Sequence, residues 1–305
     1  MNSPHIPVLL EEVLEVFKDL KQGDFLDCTL GYAGHSSAIL KAHQKINLFA
    51  CDKDIEALNF SKKVLSSFPN KIIFRHIGFK DILKEIPLLN LRGILADIGV
   101  SSLQLDKNDR GFSLQSDFLD MRMDQSQKLN AKDIVNSYSQ KDLERIFREY
   151  GDLHNLSQTL AHKIIQSRSV KEILSAKELA NIIGTAKFNG RNISVALLVF
   201  QALRIEVNNE LGELKSLLLE IEKAKLKDCK FAIISFHSLE DRLIKNTFKR
   251  WEKECICSDQ AMRCECGKNH SLGKILSKKA ISASKDEVRY NSRSSCAKMR
   301  IFHFR

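Results

Sequence analysis

The chain has 305 residues, 43% hydrophobic and 28% charged. That is enough apolar surface for one large core or two unequal ones, and too much for global disorder. Its net charge of +10 falls entirely within residues 242–305, which carry 16 Lys and Arg against 6 Asp and Glu. A localised basic segment suits a polyanionic partner, nucleic acid first, although a solvated basic face has the same composition.

The opening residues lack the basic stretch of an export signal, and the longest apolar run, residues 193–203, is too short to span a bilayer. The expectation is a cytoplasmic protein with no membrane partner. The eight cysteines are then thiols or metal ligands rather than disulfides.

In chain order, residues 8–20 have helical apolar spacing, and 25–30 read as a strand running into the turn Gly31-Tyr32-Ala33-Gly34. A helix is predicted over 35–42, a strand over 46–51, a helix over 55–66, a strand over 72–77, a helix over 79–86 and a buried-type strand over 93–98. This alternation predicts βαβ units and a parallel sheet. It then stops. Residues 99–132 look like loop, and 140–225 show only helical patterns. Strand character returns at 229–236, followed by a helix over 239–251, a cysteine-rich loop and strands near 274–281 and 297–304. The reading is a Rossmann-like α/β domain from residues 1–105 and 226–305, with an all-helical domain of residues 106–225 inserted between the fourth and fifth strands and expected to face the substrate.

Ligands of such sheets bind at the carboxyl ends of the strands. Gly31 and Gly34 follow the first strand and let backbone approach a ligand. Asp52 ends the second strand, where a carboxylate can accept both ribose hydroxyls; Asp54 is better placed to cap the next helix. Phe79 follows the third strand and could lie against adenine, or be a core residue. Asp97 ends the fourth, where an acid needs partners to be buried. In order, glycine turn, acid, aromatic and acid suit an adenosine-type cofactor. A dinucleotide fingerprint and a phosphate-binding loop are absent.

Several segments carry a resemblance: His5-Ile6-Pro7-Val8-Leu9-Leu10, residues 31–36, 97–105, Arg110-Gly111-Phe112-Ser113, residues 119–124, 200–205, 234–242 and Ser292-Arg293-Ser294-Ser295. Together they resemble the bacterial 16S ribosomal RNA (cytosine-N4)-methyltransferases, in order from residue 5 to about 303. The resemblance implies a class I S-adenosylmethionine methyltransferase fold with a helical insertion. It also implies a substrate, a P-site cytidine of 16S rRNA, with naked RNA or the 30S subunit as its carrier. By the same resemblance the cofactor, S-adenosyl-L-methionine, contacts Ala33, Gly34, His35, Asp52, Phe79, Asp97 and Gln104. Three departures stand out. Cys28 and Ala33 replace usual glycines, and Phe118 replaces a usual proline. Ser194–Val199 replaces a polar stretch, and if that stretch touches RNA in relatives, Arg191 is the candidate to stand in for it.

Cytosine N4 is a poor nucleophile, so the chemistry needs alignment and a hydrogen-bond acceptor at the amine. The expected catalytic residues are Asp97, which holds the cofactor, Ser101 or Ser102, which polarise N4 unless they only cap a helix, and His237. Ser238 with Asp241 has capping-box spacing. Expected phosphate contacts are Arg110, Arg122, Arg242, Lys278, Lys279, Arg289 and Arg293, besides Arg191. Cys255, Cys257, Cys264 and Cys266 suggest a structural Zn2+, or four reduced thiols in a loop. Cys28, Cys51, Cys229 and Cys296 lie in predicted strands and read as small buried hydrophobes. No His has Glu two residues on, which excludes a zinc deaminase. A methyltransferase of the same class acting on another nucleic acid, and an RNA-binding assembly factor without turnover, remain as alternatives. The oligomeric state stays open, a homodimer included.

Overall fold

The computed structural model describes residues 6–184, 186–188, 193–258, 261 and 263–305. The chain divides into two compact units, residues 1–99 with 212–305, and residues 100–211.

The first unit is built on an eight-stranded sheet. Strands β1 (Gly23–Asp27), β2 (Ile46–Asp52), β3 (Ile72–His76), β4 (Leu91–Asp97) and β5 (Cys229–Ser235) run parallel. With β6 (Gly273–Ile275), β7 (Ile281–Ser282) and β8 (Lys298–Phe304) the order is β3-β2-β1-β4-β5-β8-β6, and β7 also pairs with β8. β8 is antiparallel to β5, β6 and β7. The central strands are almost continuously buried, because helices cover both faces of a parallel sheet. One cluster gathers Phe17, Phe25, Ile39, Leu48 and Ile234, the other Phe231, Phe248, Trp251, Phe302 and Phe304.

Helices α1 (Leu10–Phe17), α2 (Gly34–Ala42) and α3 (Ile55–Leu65) belong to this unit. Between β3 and β4 the expected helix is reduced to a single 3-10 turn at Ile82–Lys84. The apolar residues that suggested a helix, Ile82, Leu83 and Ile86, are buried all the same.

The second unit holds α4 (Ser102–Asp106), α5 (Ala131–Ser137), α6 (Gln140–Tyr150), α7 (Ser157–Val170), α8 (Ala176–Ile183) and α9 (Val195–Asn208) around its own core. The next helix, α10 (Glu210–Lys223), starts there but continues into the first unit. Its apolar face, Leu214, Leu217, Leu218 and Ile221, packs with the sheet cluster. The division therefore falls at Leu211/Gly212, where periodicity alone suggested 225/226. The short α4 likewise goes with the helices, so the first boundary lies at Gly99/Val100 rather than 105/106.

The altered stretch Ser194–Val199 opens α9. Ser194 is its N-cap, accepting from Leu197 N at 3.3 Å. Val195, Ala196, Leu198 and Val199 are buried in the helical core, so this stretch is a packing element. Phe118 donates its N–H to Ser116 Oγ at 3.1 Å, a bond that the usual proline could not make.

Candidate active site

Four neighbouring parallel strands end in polar residues: β2 at Asp52, β1 at Asp27, β4 at Asp97 and β5 at Ser235. Each apolar run is pinned by burial, so its terminal polar residue reaches the sheet edge where loops begin. The turn after β1 is held by three of these ends. Asp27 Oδ2 accepts from Ser36 Oγ at 2.6 Å and Oδ1 from Thr29 N at 3.0 Å. Asp52 Oδ2 accepts from Gly31 N at 2.7 Å and Oδ1 from Asp54 N at 2.8 Å. Asp97 N donates to Thr29 Oγ1 at 2.7 Å. Asp54, as its position suggested, caps α3.

Gly31 sits at φ 50 and Ala33 at φ 61, so the turn keeps its shape although Ala33 replaces a glycine and bears left-handed strain. At Gly34 a Cβ would lie 2.5 Å from Pro7 Cγ, so only glycine leaves room for the proline.

Electrostatically the edge is loaded. Burial pushes the Asp52 carboxyl up to about 6, against the two N–H donors from Asp54 and Gly31. Burial raises Asp27 as well, opposed first by the Ser36 hydroxyl. His35 is buried beside them, with Nε2 3.5 Å from Asp97 Oδ2, at the outer limit of a contact. Neither ring nitrogen of His35, nor Asp97 Oδ1, has a hydrogen-bond partner among the described residues. Buried polar atoms without partners are costly, and here they converge on the glycine turn. This donor and acceptor set fits a polar nucleoside-type cofactor. Phe79 is half-buried, with Lys53 Nζ 5.9 Å from its ring centre. Lys53 and Lys80 both pair with the buried Glu213 of α10, at 3.1 and 3.0 Å. The first unit thus brings together Ala33, Gly34, His35, Asp52 and Asp97, and places Phe79 next to the residue after Asp52.

The match extends to the whole chain. The model of the MraW methylase family aligns with residues 2–305. The chain belongs to the MraW methylase family. Curated relatives named Ribosomal RNA small subunit methyltransferase H include one from Campylobacter lari, 74% identical over 305 residues and all of both chains. Those from Campylobacter curvus and Campylobacter jejuni serotype O:6 are 58% and 59% identical, covering this whole chain and 99% and 98% of theirs. Among solved structures, a putative methyltransferase from Streptococcus mutans in complex with SAH is 8% identical over 98% of this chain and 99% of its own, with a TM-score of 0.44. The expected class I methyltransferase fold is borne out by the strand order and the antiparallel β8.

Ser101, Ser102 and Gln104 belong to the second unit. Ser101 and Gln104 form a capping box at α4, with Gln104 N donating to Ser101 Oγ at 3.2 Å and Ser101 N to Gln104 Oε1 at 3.0 Å. Ser102 opens α4. The box expected at Ser238 is shifted by one residue. His237 is the N-cap of α11 (Ser238–Glu252). Its Nδ1 accepts from Glu240 N at 3.4 Å, and its buried Nε2 lies 3.0 Å from Glu240 Oε1 but has no hydrogen-bond partner among the described residues.

Two expected phosphate contacts need correction. Arg110 is 2% exposed and donates Nη2 to the Arg122 and Met123 carbonyls at 3.1 and 3.0 Å. Arg122 forks onto Asp120 at 2.9 and 2.7 Å and donates to Gln125 O and Gln127 O. Both arginines are spent on backbone that has no regular structure to satisfy it. Arg242, Lys278 and Lys279 are exposed, the two lysines in the turn between β6 and β7 rather than on one continuous strand. Arg289 and Arg293 are exposed, Arg289 3.0 Å from Asp286. Arg191 lies outside the described residues, as does His5. Asp27 was missed by sequence reading, since a carboxylate ending the first strand looks like ordinary strand termination; its bond to Ser36, nine residues on, is visible only in three dimensions.

In the cysteine-rich loop the sulfurs of Cys255, Cys264 and Cys266 form a triangle 3.6 Å on each side, and Cys257 Sγ lies within 4.8 Å of all three. Of the cysteines assigned to strands, Cys28, Cys51 and Cys229 are buried, whereas Cys296 is exposed in the 3-10 turn Ser292–Cys296. No helix among the described residues is long and apolar enough to cross a membrane.

Proposed function

We propose that the protein transfers a methyl group from S-adenosyl-L-methionine to the exocyclic N4 of a P-site cytidine in 16S rRNA, in the cytoplasm and within the assembled 30S subunit. The observation that carries the reading is the set of unpartnered buried polar atoms of His35 and Asp97 at the glycine turn, in a chain that matches a methylase family from end to end.

Bound there, the cofactor supplies an electrophilic methyl on a sulfonium. Asp52 keeps lone pairs beyond those used by Gly31 and Asp54, and accepts from ribose hydroxyls. Phe79 presents a ring face for adenine, and the Lys53–Glu213–Lys80 pairs hold the chain on either side of it. Asp97 and His35 meet the polar end of the cofactor. Ser101 Oγ, which accepts from Gln104 N, keeps a second lone pair to accept from the N4 amine, with a nearby backbone carbonyl or Ser102 as the other candidates to polarise it. His237, whose Nδ1 caps α11 and whose buried Nε2 has no hydrogen-bond partner among the described residues, is the further candidate to meet the substrate. Arg242, Lys278, Lys279, Arg289 and Arg293 are the exposed phosphate contacts, with the helical unit facing the RNA. The Zn2+ expected at the four cysteines has no step in this chemistry.

The test is transfer of labelled methyl to unmodified 30S subunits, followed by nucleoside mass spectrometry. N4-methylated cytidine at one site is expected. Methyl on another atom or base refutes the substrate assignment, and bound cofactor without transfer favours an assembly factor. Asp97→Ala is expected to weaken cofactor binding tenfold or more, about 1.4 kcal/mol; unchanged binding removes the role given to Asp97.

A further inference from the structure

The described residues between α11 and β6 form no apolar core. Among them, none from Glu252 to Leu272 is buried, and Ile256 is 62% exposed. The base of this segment is tied to the sheet unit. Leu272 N donates to Trp251 O at 2.8 Å and His270 N to Glu254 O at 3.1 Å, and Trp251 is packed among Phe248, Phe302 and Phe304. Beyond that base, the described residues offer no hydrophobic burial to order the segment. What converges there instead is sulfur.

A tetrahedral Zn2+ with four thiolates at about 2.3 Å spaces its sulfurs about 3.8 Å apart. The triangle of Cys255, Cys264 and Cys266 measures 3.6 Å on each edge, and Cys257 closes it as the fourth corner. A disulfide would need about 2.05 Å, so no pair here is bonded. The amides are arranged as around a metal-bound thiolate. Ile256 N donates to Cys266 Sγ and Glu265 N to Cys257 Sγ, both at 3.4 Å. Gly267, at φ 79, makes the turn that follows Cys266, and the Lys268 N–H bonds back to the Cys266 sulfur. Four uncompensated thiolates at this spacing would repel one another strongly, and a divalent cation removes that repulsion.

We infer that Cys255, Cys257, Cys264 and Cys266 bind one Zn2+, and that this ion is the core of residues 253–272, so that the segment folds with the metal while the methyltransferase sheet folds without it. The four-thiolate set leaves no open coordination position, which makes the site structural.

Metal analysis of protein purified without chelator is expected to give one zinc per chain. Absence of metal, or iron in its place, overturns the zinc site. Hydrogen exchange then tests the coupling. In Cys255→Ser/Cys264→Ser protein, and independently in wild-type protein stripped with a chelator, amide exchange across residues 255–266 is expected to rise about a hundredfold or more. Exchange in β1, β2 and β4, and affinity for S-adenosylhomocysteine, are expected to stay within about twofold of wild type. Zinc present but exchange unchanged on its removal refutes the ordering role and leaves the site. Loss of protection throughout the sheet in the stripped wild-type protein refutes the separation of the two.

Discussion

Asp52 links the fold to the cofactor through a proton. Its carboxyl, pushed up to about 6 by burial, already accepts from Gly31 N and Asp54 N. Ribose hydroxyls donating to its remaining lone pairs favour the charged form. Two such bonds, each worth about 1.5 kcal/mol or more, lower the pKa of the complex to about 4 or below. Linkage then fixes the sign: binding releases a proton between these two values, so affinity falls as pH drops through 6. Relative to the plateau above pH 7, the Kd of S-adenosylhomocysteine should rise about twofold at pH 6 and about tenfold at pH 5. In the free protein the sign is opposite for stability. The folded pKa lies above the unfolded value of about 3.9, so stability from this group is fully present below about 4 and declines toward 6. The penalty at neutral pH is of order 2–3 kcal/mol. Calorimetric titration from pH 5 to 8 reads the first effect, with Asp52→Asn as the control that binds more weakly and loses most of the slope. Affinity that is flat from pH 5 to 7.5, or a variant parallel to wild type, refutes the ribose role of Asp52.

Arg110→Ala is expected to destabilise the helical unit by about 3 kcal/mol, because the carbonyls of Arg122 and Met123 lose their donor inside a packed loop; thermal unfolding measures it, and an unchanged Tm with weaker RNA binding would restore its phosphate role. Arg242→Ala should leave Tm unchanged and reduce the slope of log K against log salt for RNA binding by about one, since its side chain is exposed. Ala33→Val should cost about 2–3 kcal/mol, combining a β-branched residue at φ 61 with a fully buried site. Ala33→Gly should stay within about 1 kcal/mol, strain relief offsetting the removal of a buried methyl group. Chemical denaturation separates the two.

Strand and helix alternation, the glycine turn and the carboxylates at strand ends were legible in the sequence because each depends on local pattern: apolar runs form buried strands, and the residue that ends a run faces the edge. Asp52 and Asp97 were found that way, as was Asp54 as a cap. What only the tertiary structure decided depends on how irregular backbone folds around each side chain. Arg110 and Arg122 looked like surface cations until the loop carbonyls that they satisfy were folded around them. His237 Nδ1 caps α11, and its Nε2 is buried without a hydrogen-bond partner among the described residues, an arrangement that the sequence does not display. The four cysteines suggested a metal by count, but C-x-C pairs fix no distance; the fold sets three of the sulfurs 3.6 Å apart. Charge and composition report which groups a chain carries, and packing determines which of them are already spoken for.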